Sequence, residues 1–306
     1  MIIAVDWGTS RLRAYLIGGD GEMLGRIEAD KGLMRVEAGN YEVTLAAAIE
    51  PLRTKAPDAP VIMAGMVGAR QGWVEAPYVA LPARKEDLAA AIMAVHAPSV
   101  GKVAIIPGVS SGSGREGWAD VMRGEETEII GALATLDILE GTFVMPGTHS
   151  KWVNVKDGAI VSFRTYLTGE AYQALSRHTI LSKTLGEGGD EEGQAFLRGV
   201  DEGAALSGAG DLLARLFSIR AETLFGRLGP EETGPFLSGL LVGAEVAAAA
   251  SSAKEVFVVG AKANVRRYEI ALGRAGIAVA ASPPDAAARG VALMADHAAS
   301  LGLFAD

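Results

Sequence analysis

The chain has 306 residues, 49% hydrophobic and 21% charged, with a formal net charge of −9. That length suffices for one large core or two medium ones, and the acidic balance argues against a general nucleic-acid binder. The lack of cysteine excludes disulfides and a thiol nucleophile, and 39 glycines without a fixed period exclude a collagen-like chain.

Residues Ile2–Val5 read as a buried strand that stops on Asp6. No basic segment precedes this run, so a signal peptide is not expected. No run of 18 uncharged apolar residues occurs; Leu237–Ala253 comes nearest but holds Glu245. The expectation is a cytoplasmic protein with no membrane or nucleic-acid partner, its oligomeric state open. After the turn Gly8-Thr9-Ser10, the alternation of Arg11–Ile17 predicts a second strand, Gly18–Gly21 a hairpin turn and Met23–Ala29 a third strand. Helical spacing follows at Tyr41–Ala56, a short strand at Val61–Ala64, a loop over Gly65–Trp73, a helix at Lys85–His96 and a strand at Lys102–Pro107. A Gly/Ser loop then leads to a helix from about Glu125 to Leu136.

The middle of the chain repeats the opening. Phe143–Met145, Trp152–Val155 and Ala159–Phe163 read as strands, separated by the turn Gly147-Thr148-His149-Ser150 and the hairpin Lys156-Asp157-Gly158. Both copies follow the turn serine with a basic residue, Arg11 and Lys151. We take this as an internal duplication of a β-meander. Helices follow to about Ala250, interrupted over Gly186–Gly193, then a strand at Glu255–Val259, a helix to about Arg274, a brief strand at Val279-Ala280 and a last helix over Asp285–Ser300. Strands alternating with helices in each half argue for an α/β protein.

A Gly-Thr-Ser turn after a buried strand offers backbone amides and hydroxyls to an anion. Two such turns suit a polyphosphate. Asp6 beside phosphate oxygens then calls for a divalent cation, and Mg²⁺ held by one carboxylate plus phosphates is the usual arrangement. The bland alternative is an Asx-turn at Asp6 with solvated basic residues around it. The G-x-x-x-x-G-K-[ST] loop is absent, and Gly112–Gly117 matches G-x-G-x-x-G too far past its strand to read as a dinucleotide site; it suits a flexible loop over a substrate. In Arg123-Gly124-Glu125-Glu126, carboxylates in a first helical turn complement the macrodipole, or else Glu125 or Glu126, near Asp120, serves as general base toward an alcohol acceptor. Arg70, Gln71 and Trp73 in one loop, and Arg164, Tyr166 and Glu170 in another with Arg177 beyond, suggest an acidic small substrate. His149 and His178 are too isolated for a metal site.

The paired meanders, the Glu-rich helix and the Val256–Ala261 strand and turn resemble the actin/hexokinase/Hsp70 ATPase superfamily. The strings DWGTSRLRAY, GMVGARQGW, RGEETEIIGAL, MPGTHSKWV and FRTYLTGEAYQALSRH resemble the 2-dehydro-3-deoxygalactonokinase family over essentially the whole chain. That resemblance implies two ribonuclease-H-like lobes, 1–130 plus 285–306 and 131–284, with a nucleotide cleft between them. It implies ATP-dependent phosphorylation of 2-dehydro-3-deoxy-D-galactonate at its 6-hydroxyl, in galactonate breakdown. Asp6 would hold Mg²⁺; Gly8, Thr9, Ser10, Arg11, Gly147, Thr148, His149, Ser150 and Lys151 would surround the phosphates; Gly260, Ala261 and Asn264 would lie near adenosine. The adenosine turn of the superfamily usually reads Gly-Gly, and here it reads Gly260-Ala261. A similar Gly-x-Glu-Glu stretch in the exopolyphosphatase branch supports Glu126 as base and leaves Glu125 and Asp120 open. A polyphosphate or nucleotide hydrolase, or a non-catalytic ATP sensor, are the alternatives on the same fold; the two polar loops argue against the first, because water needs no such pocket.

Overall fold

The computed structural model describes residues 1–112, 118–250, 253–280 and 283–300. Most of the Gly112–Gly117 match lies outside them. The chain divides into two compact units: Met1–Glu140 with Asn154–Phe163 and Pro283–Asp306, and Gly141–Val153 with Arg164–Ser282.

In the first unit, β1 (Ile2–Trp7), β2 (Leu12–Ile17) and β3 (Met23–Ala29) form the predicted meander, and α1 (Tyr41–Arg53) leads to β4 (Val61–Ala64). The unit continues with β5 (Tyr78–Ala80), α2 (Lys85–Ala90), β6 (Met93–Ala97), β7 (Gly101–Ile105), β8 (Gly108–Ser110), β9 (Val121–Met122) and α3 (Glu125–Leu136). Six strands pair in the order β3-β2-β1-β4-β7-β6, with β1, β4 and β7 parallel. Central parallel strands are buried on both faces, which explains the unbroken apolar run Ile3–Val5. Its core gathers Ile3, Val5 and Trp7 with Leu12, Leu16, Leu45 and Ile49.

The expected helix over Lys85–His96 is corrected: it stops at Ala90, and Met93–Ala97 is a strand antiparallel to β7. Val95 and Ala97 are buried while Ala94 and His96 are exposed, a period of two that the alanine-rich composition masked. The small sheet β5-β8-β9 went unpredicted, since strands of two or three residues carry no readable period.

The elements that follow are β10 (Gly141–Met145), β11 (Ser150–Lys156), β12 (Ala159–Tyr166), α4 (Thr168–His178), α5 (Gln194–Ala204), α6 (Ala209–Leu224), α7 (Pro230–Ala249), β13 (Glu255–Val258), α8 (Lys262–Arg274), β14 (Ala278–Ala280) and α9 (Ala286–Ser300). The second sheet runs β12-β11-β10-β13-β14. Its order repeats β3-β2-β1-β4-β7 position for position, with parallel neighbours beyond the meander in both. The meander is therefore duplicated together with the strands that extend it. Phe143 and Phe257 stack across the β10–β13 pair at 5.0 Å. The Gly/Ala-rich α7 is a buried helix, and among the described residues no helix is long and apolar enough to cross a membrane.

In the first unit α9 lies directly on α3. A Cβ on Gly131 would come within 1.8 Å of the Ala286 carbonyl, and one on Gly290 within 1.9 Å of the Thr127 carbonyl. The two backbones touch because both positions lack a side chain. Gly290→Val should therefore destabilise the protein by about 1–3 kcal/mol, the usual cost of overpacking. Denaturant unfolding checks this, and an unchanged midpoint would contradict the contact.

Candidate active site

The end of β1 is where a doubly buried strand first offers side chains to solvent. Asp6 stands there opposite Arg13 of β2, whose Nη1 donates to Asp6 Oδ2 at 3.1 Å. Next, Gly8 N–H donates to the Arg11 carbonyl at 3.0 Å, closing a turn with Thr9 and Ser10 at its exposed tip. The turn's carbonyls are all taken from one side. Gly8 O accepts from Leu33 N–H at 3.0 Å, Thr9 O from Met34 N–H at 3.1 Å, and Ser10 O from Gly32 N–H at 3.2 Å. In a trans peptide the N–H points opposite to the C=O. The amides of Thr9, Ser10 and Arg11 are thereby aimed away from the supporting segment, as an anion-binding array requires. The exposed Arg11 side chain pairs with Glu28 at 2.5 Å.

Strand β9 delivers Arg123 and Gly124 to the start of α3. Gly124 has φ +106, and an added Cβ would meet Gly65 Cα at 3.1 Å, so glycine is needed on both counts. Glu125, half-buried, accepts from Arg123 N–H at 3.0 Å. Glu126 folds back: its two oxygens accept from Gly124 N–H at 2.9 and 2.8 Å, and the Thr127 hydroxyl donates to it at 3.1 Å. Its exposure is 0%. The residue placed first among the base candidates is thus enclosed in a helix-cap arrangement, whereas Glu125 keeps exposed surface. Asp120 precedes β9 and accepts from Val121 N–H. The buried Arg123 guanidinium donates to the Ala76 carbonyl at 2.7 Å and stacks over Tyr78 at 4.3 Å, fastening the 66–78 loop to the start of α3.

These carboxylates act on one another. Burial, reinforced by Glu125 and opposed by Arg13, raises the Asp6 pKa above its ordinary value. Burial and then Glu125 push Glu126 up to about 8. Burial, then Asp6 and Glu125, push Glu128 up to about 8 as well. Sequence reading overlooked Glu128, although its i,i+3 spacing from Glu125 sets both on one helical face. Carboxyl groups outnumber cationic ones here, and burial with mutual repulsion keeps protons on Glu126 and Glu128. Among the described residues no three Asp, Glu or His side chains converge to hold a metal unaided. A Mg²⁺ at Asp6 would therefore be completed by phosphate oxygens and water.

In the second unit, Gly147, Thr148 and His149 turn the chain from β10 to β11. Glu170 N–H, in the first turn of α4, donates to the Thr148 carbonyl at 2.9 Å, and His149 Nε2 lies 2.6 Å from Glu170 Oε2. Gly260 has φ +154 and abuts the Pro146 carbonyl, which sets Ala261 and the first turn of α8, with Asn264, at the same end of the sheet. Ser150 and Lys151 turn inward and are buried. The Lys151 ammonium donates to the His149 carbonyl at 3.2 Å. The Ser150 and Tyr268 hydroxyls bond at 2.8 Å, and Tyr268 donates onward to Glu245 at 2.8 Å. Trp152 Nε1 donates to Glu245 at 2.8 Å, and the Thr168 hydroxyl also donates to it. Burial raises the Glu245 pKa while these donors oppose it. The lone charge in Leu237–Ala253 was the available signal for this network.

Of the substrate candidates, Arg70 is exposed and faces Glu75 at 3.4 Å, Gln71 is exposed, and Trp73 packs on the first core. In the second unit Arg164 is exposed on β12, and Tyr166 packs against the Val144–Trp152 core. Arg70, Gln71 and Trp73 belong to the first unit, and Arg164, Tyr166 and Glu170 to the second.

Two sheets of one topology, each with a turn after its first strand, define the duplicated α/β fold of the actin/hexokinase-type ATPases. The Acidaminococcus fermentans (R)-2-hydroxyglutaryl-CoA dehydratase component A shares this fold at a TM-score of 0.55 and 11% identity, covering 97% of this chain and 98% of its own. More specifically, the 2-keto-3-deoxy-galactonokinase family profile matches residues 6–294, and the chain belongs to that family. It is 35% identical over 292 residues to a Rhizobium meliloti (strain 1021) protein, and 34% identical over 288 residues to one from Escherichia coli (strain K12). Both carry the name 2-dehydro-3-deoxygalactonokinase; the alignments cover 94% and 93% of this chain, and 93% and 94% of the relatives. A crystal structure from Sinorhizobium meliloti, described by the same name, matches at a TM-score of 0.88 and 33% identity, covering 100% of this chain and 98% of its own.

The raised carboxyls make stability pH-dependent. From the ordinary glutamate value of 4.5 up to about 8, the folded protein keeps protons on Glu126 and Glu128 that the unfolded chain has released. Stability of the metal-free protein therefore falls as pH rises through that window and levels off above it. Glu128→Gln should flatten the fall; parallel urea-midpoint profiles for the two proteins between pH 5 and 8 would contradict the assignment.

Proposed function

We propose that the protein is an ATP-dependent sugar-acid kinase that phosphorylates 2-dehydro-3-deoxy-D-galactonate on its 6-hydroxyl. The observation that carries this reading is end-to-end likeness to relatives of that name at 34–35% identity. The arrangement around Asp6 supports it chemically. Phosphoryl transfer depends on positioning and on neutralising charge, more than on covalent help from the protein. The amides of Thr9, Ser10 and Arg11, and the Gly147–His149 turn, are assigned to ATP phosphates, and Gly260, Ala261 and Asn264 to the adenosine side. Mg²⁺, when bound at Asp6, supplies positive charge to the phosphoryl oxygens.

Glu125 is assigned as general base, because it borders Asp6 electrostatically and keeps exposed surface. It takes the proton of the 6-hydroxyl as that oxygen attacks the γ-phosphorus. The new O–P bond forms, the bond from the γ-phosphorus to the β,γ-bridging oxygen breaks, and ADP leaves. Arg70 and Arg164, with Gln71, Trp73, Tyr166 and Glu170, are assigned to the acidic sugar; a guanidinium suits a carboxylate bidentately. Dependence on ATP fits a cytoplasmic enzyme.

Coupled ADP release with ATP and the sugar acid tests this. Turnover should require the sugar; equal ADP release without it would mean hydrolysis. Glu125→Gln should lose on the order of 10²-fold or more in kcat. Glu126→Gln should keep most activity, since an amide oxygen still accepts from Gly124; the reverse pattern would move the base to Glu126.

A further inference from the structure

The two turns assigned to phosphate are held by the same device. Gly32 is the third residue past the end of β3, and Gly169 the third past the end of β12. Each lies against the turn that opens its own meander, with no room for a side chain. A Cβ on Gly32 would fall 2.0 Å from the Ser10 carbonyl carbon, and one on Gly169 would fall 2.3 Å from the Gly147 carbonyl oxygen and 2.9 Å from Thr148 Cα. Neither backbone needs glycine for its dihedrals: Gly32 has φ −61 and ψ 161, and Gly169 lies in the first turn of α4. The requirement is close approach alone.

That approach brings backbone amides onto the turn carbonyls. Gly32, Leu33 and Met34 serve Ser10, Gly8 and Thr9; Glu170 serves Thr148. Pinning a carbonyl fixes the opposite direction for the next residue's N–H. In the first turn these are the amides of Thr9, Ser10 and Arg11, and in the second the amide of His149.

We propose that Gly32 and Gly169 are positioning residues, a duplicated buttress that aims the turn amides at the ATP phosphates. The proposal rests on the kinase reading above. It places part of phosphate affinity in two glycines that touch no ligand.

Gly169→Ala is the primary test, because alanine favours a helix and the fold should survive. Full-length protein is compared by thermal unfolding, calorimetric titration with Mg²⁺·ATP, and steady-state kinetics. The expected result is a cooperatively folded protein with a lowered melting temperature, the usual effect of overpacking, and a rise of roughly tenfold or more in both Kd and KM for ATP. KM for the sugar acid should stay within about twofold, an asymmetry that general loosening does not produce. Glu170→Pro, which removes the amide donor, should weaken ATP binding beyond Glu170→Ala, which removes only the side chain; this pair decides the matter if Gly169→Ala fails to fold. Equal ATP affinity in wild type and a folded Gly169→Ala, parallel rises in both KM values, or equal effects of the two Glu170 substitutions would overturn the buttress. A wild type that neither binds Mg²⁺·ATP nor turns over would instead overturn the kinase reading itself.

Discussion

A carboxyl half-enclosed at the end of a central strand, among more carboxyl groups than cationic ones, is the constraint that organises the first unit. Asp6 is held there by β1, whose neighbours on both sides and both faces leave it no other place. Arg13 neutralises it in part. The first turn of α3 then adds Glu125, Glu126 and Glu128, each acting against its neighbours. Clusters of carboxyls with shifted pKa values are common at functional sites, and under the proposed function a cation beside Asp6 would offset this one. The rest of the unit keeps the cluster in place: Arg123 fastens the 66–78 loop to α3, and α9 packs on α3 backbone to backbone.

The second unit repeats the topology and diverges in chemistry. Counted from the turn glycines, Met145 stands where Asp6 stands in the first copy, and Pro146 where Trp7 stands. Its buried carboxylate, Glu245, lies elsewhere and is fully served by donors from Trp152, Thr168 and Tyr268. A buried polar group met by several donors rigidifies its surroundings. One copy thus keeps a carboxyl at the end of its first strand, and the other ties its turn to α7 and α8 through Ser150 and Tyr268.

Much of this was legible in the residues because strands and turns are local. The meanders, the duplication, the Glu125–Leu136 helix and the long helical stretch follow from alternation, glycine turns and 3.6-residue spacing. Met93–Ala97 misled because alanine supports helical and strand patterns alike. Strands β5, β8 and β9 were too short to register. At the site, sequence could name Asp6 and the first turn of α3, but the difference between Glu125 and Glu126 is one of burial, which adjacent positions in a single helical turn do not reveal. The inward turn of Ser150 is likewise decided by Tyr268, 118 positions away.

The most direct measurement is the Mg²⁺ dependence of Asp6→Asn. Asparagine keeps the size and an oxygen acceptor but removes the charge. With wild-type secondary structure by circular dichroism, the variant should bind ATP without the enhancement that Mg²⁺ gives the wild type, and lose about 10²-fold or more in sugar-dependent turnover. Wild-type Mg²⁺ enhancement and turnover in Asp6→Asn would contradict the assignment of the carboxylate to the cation.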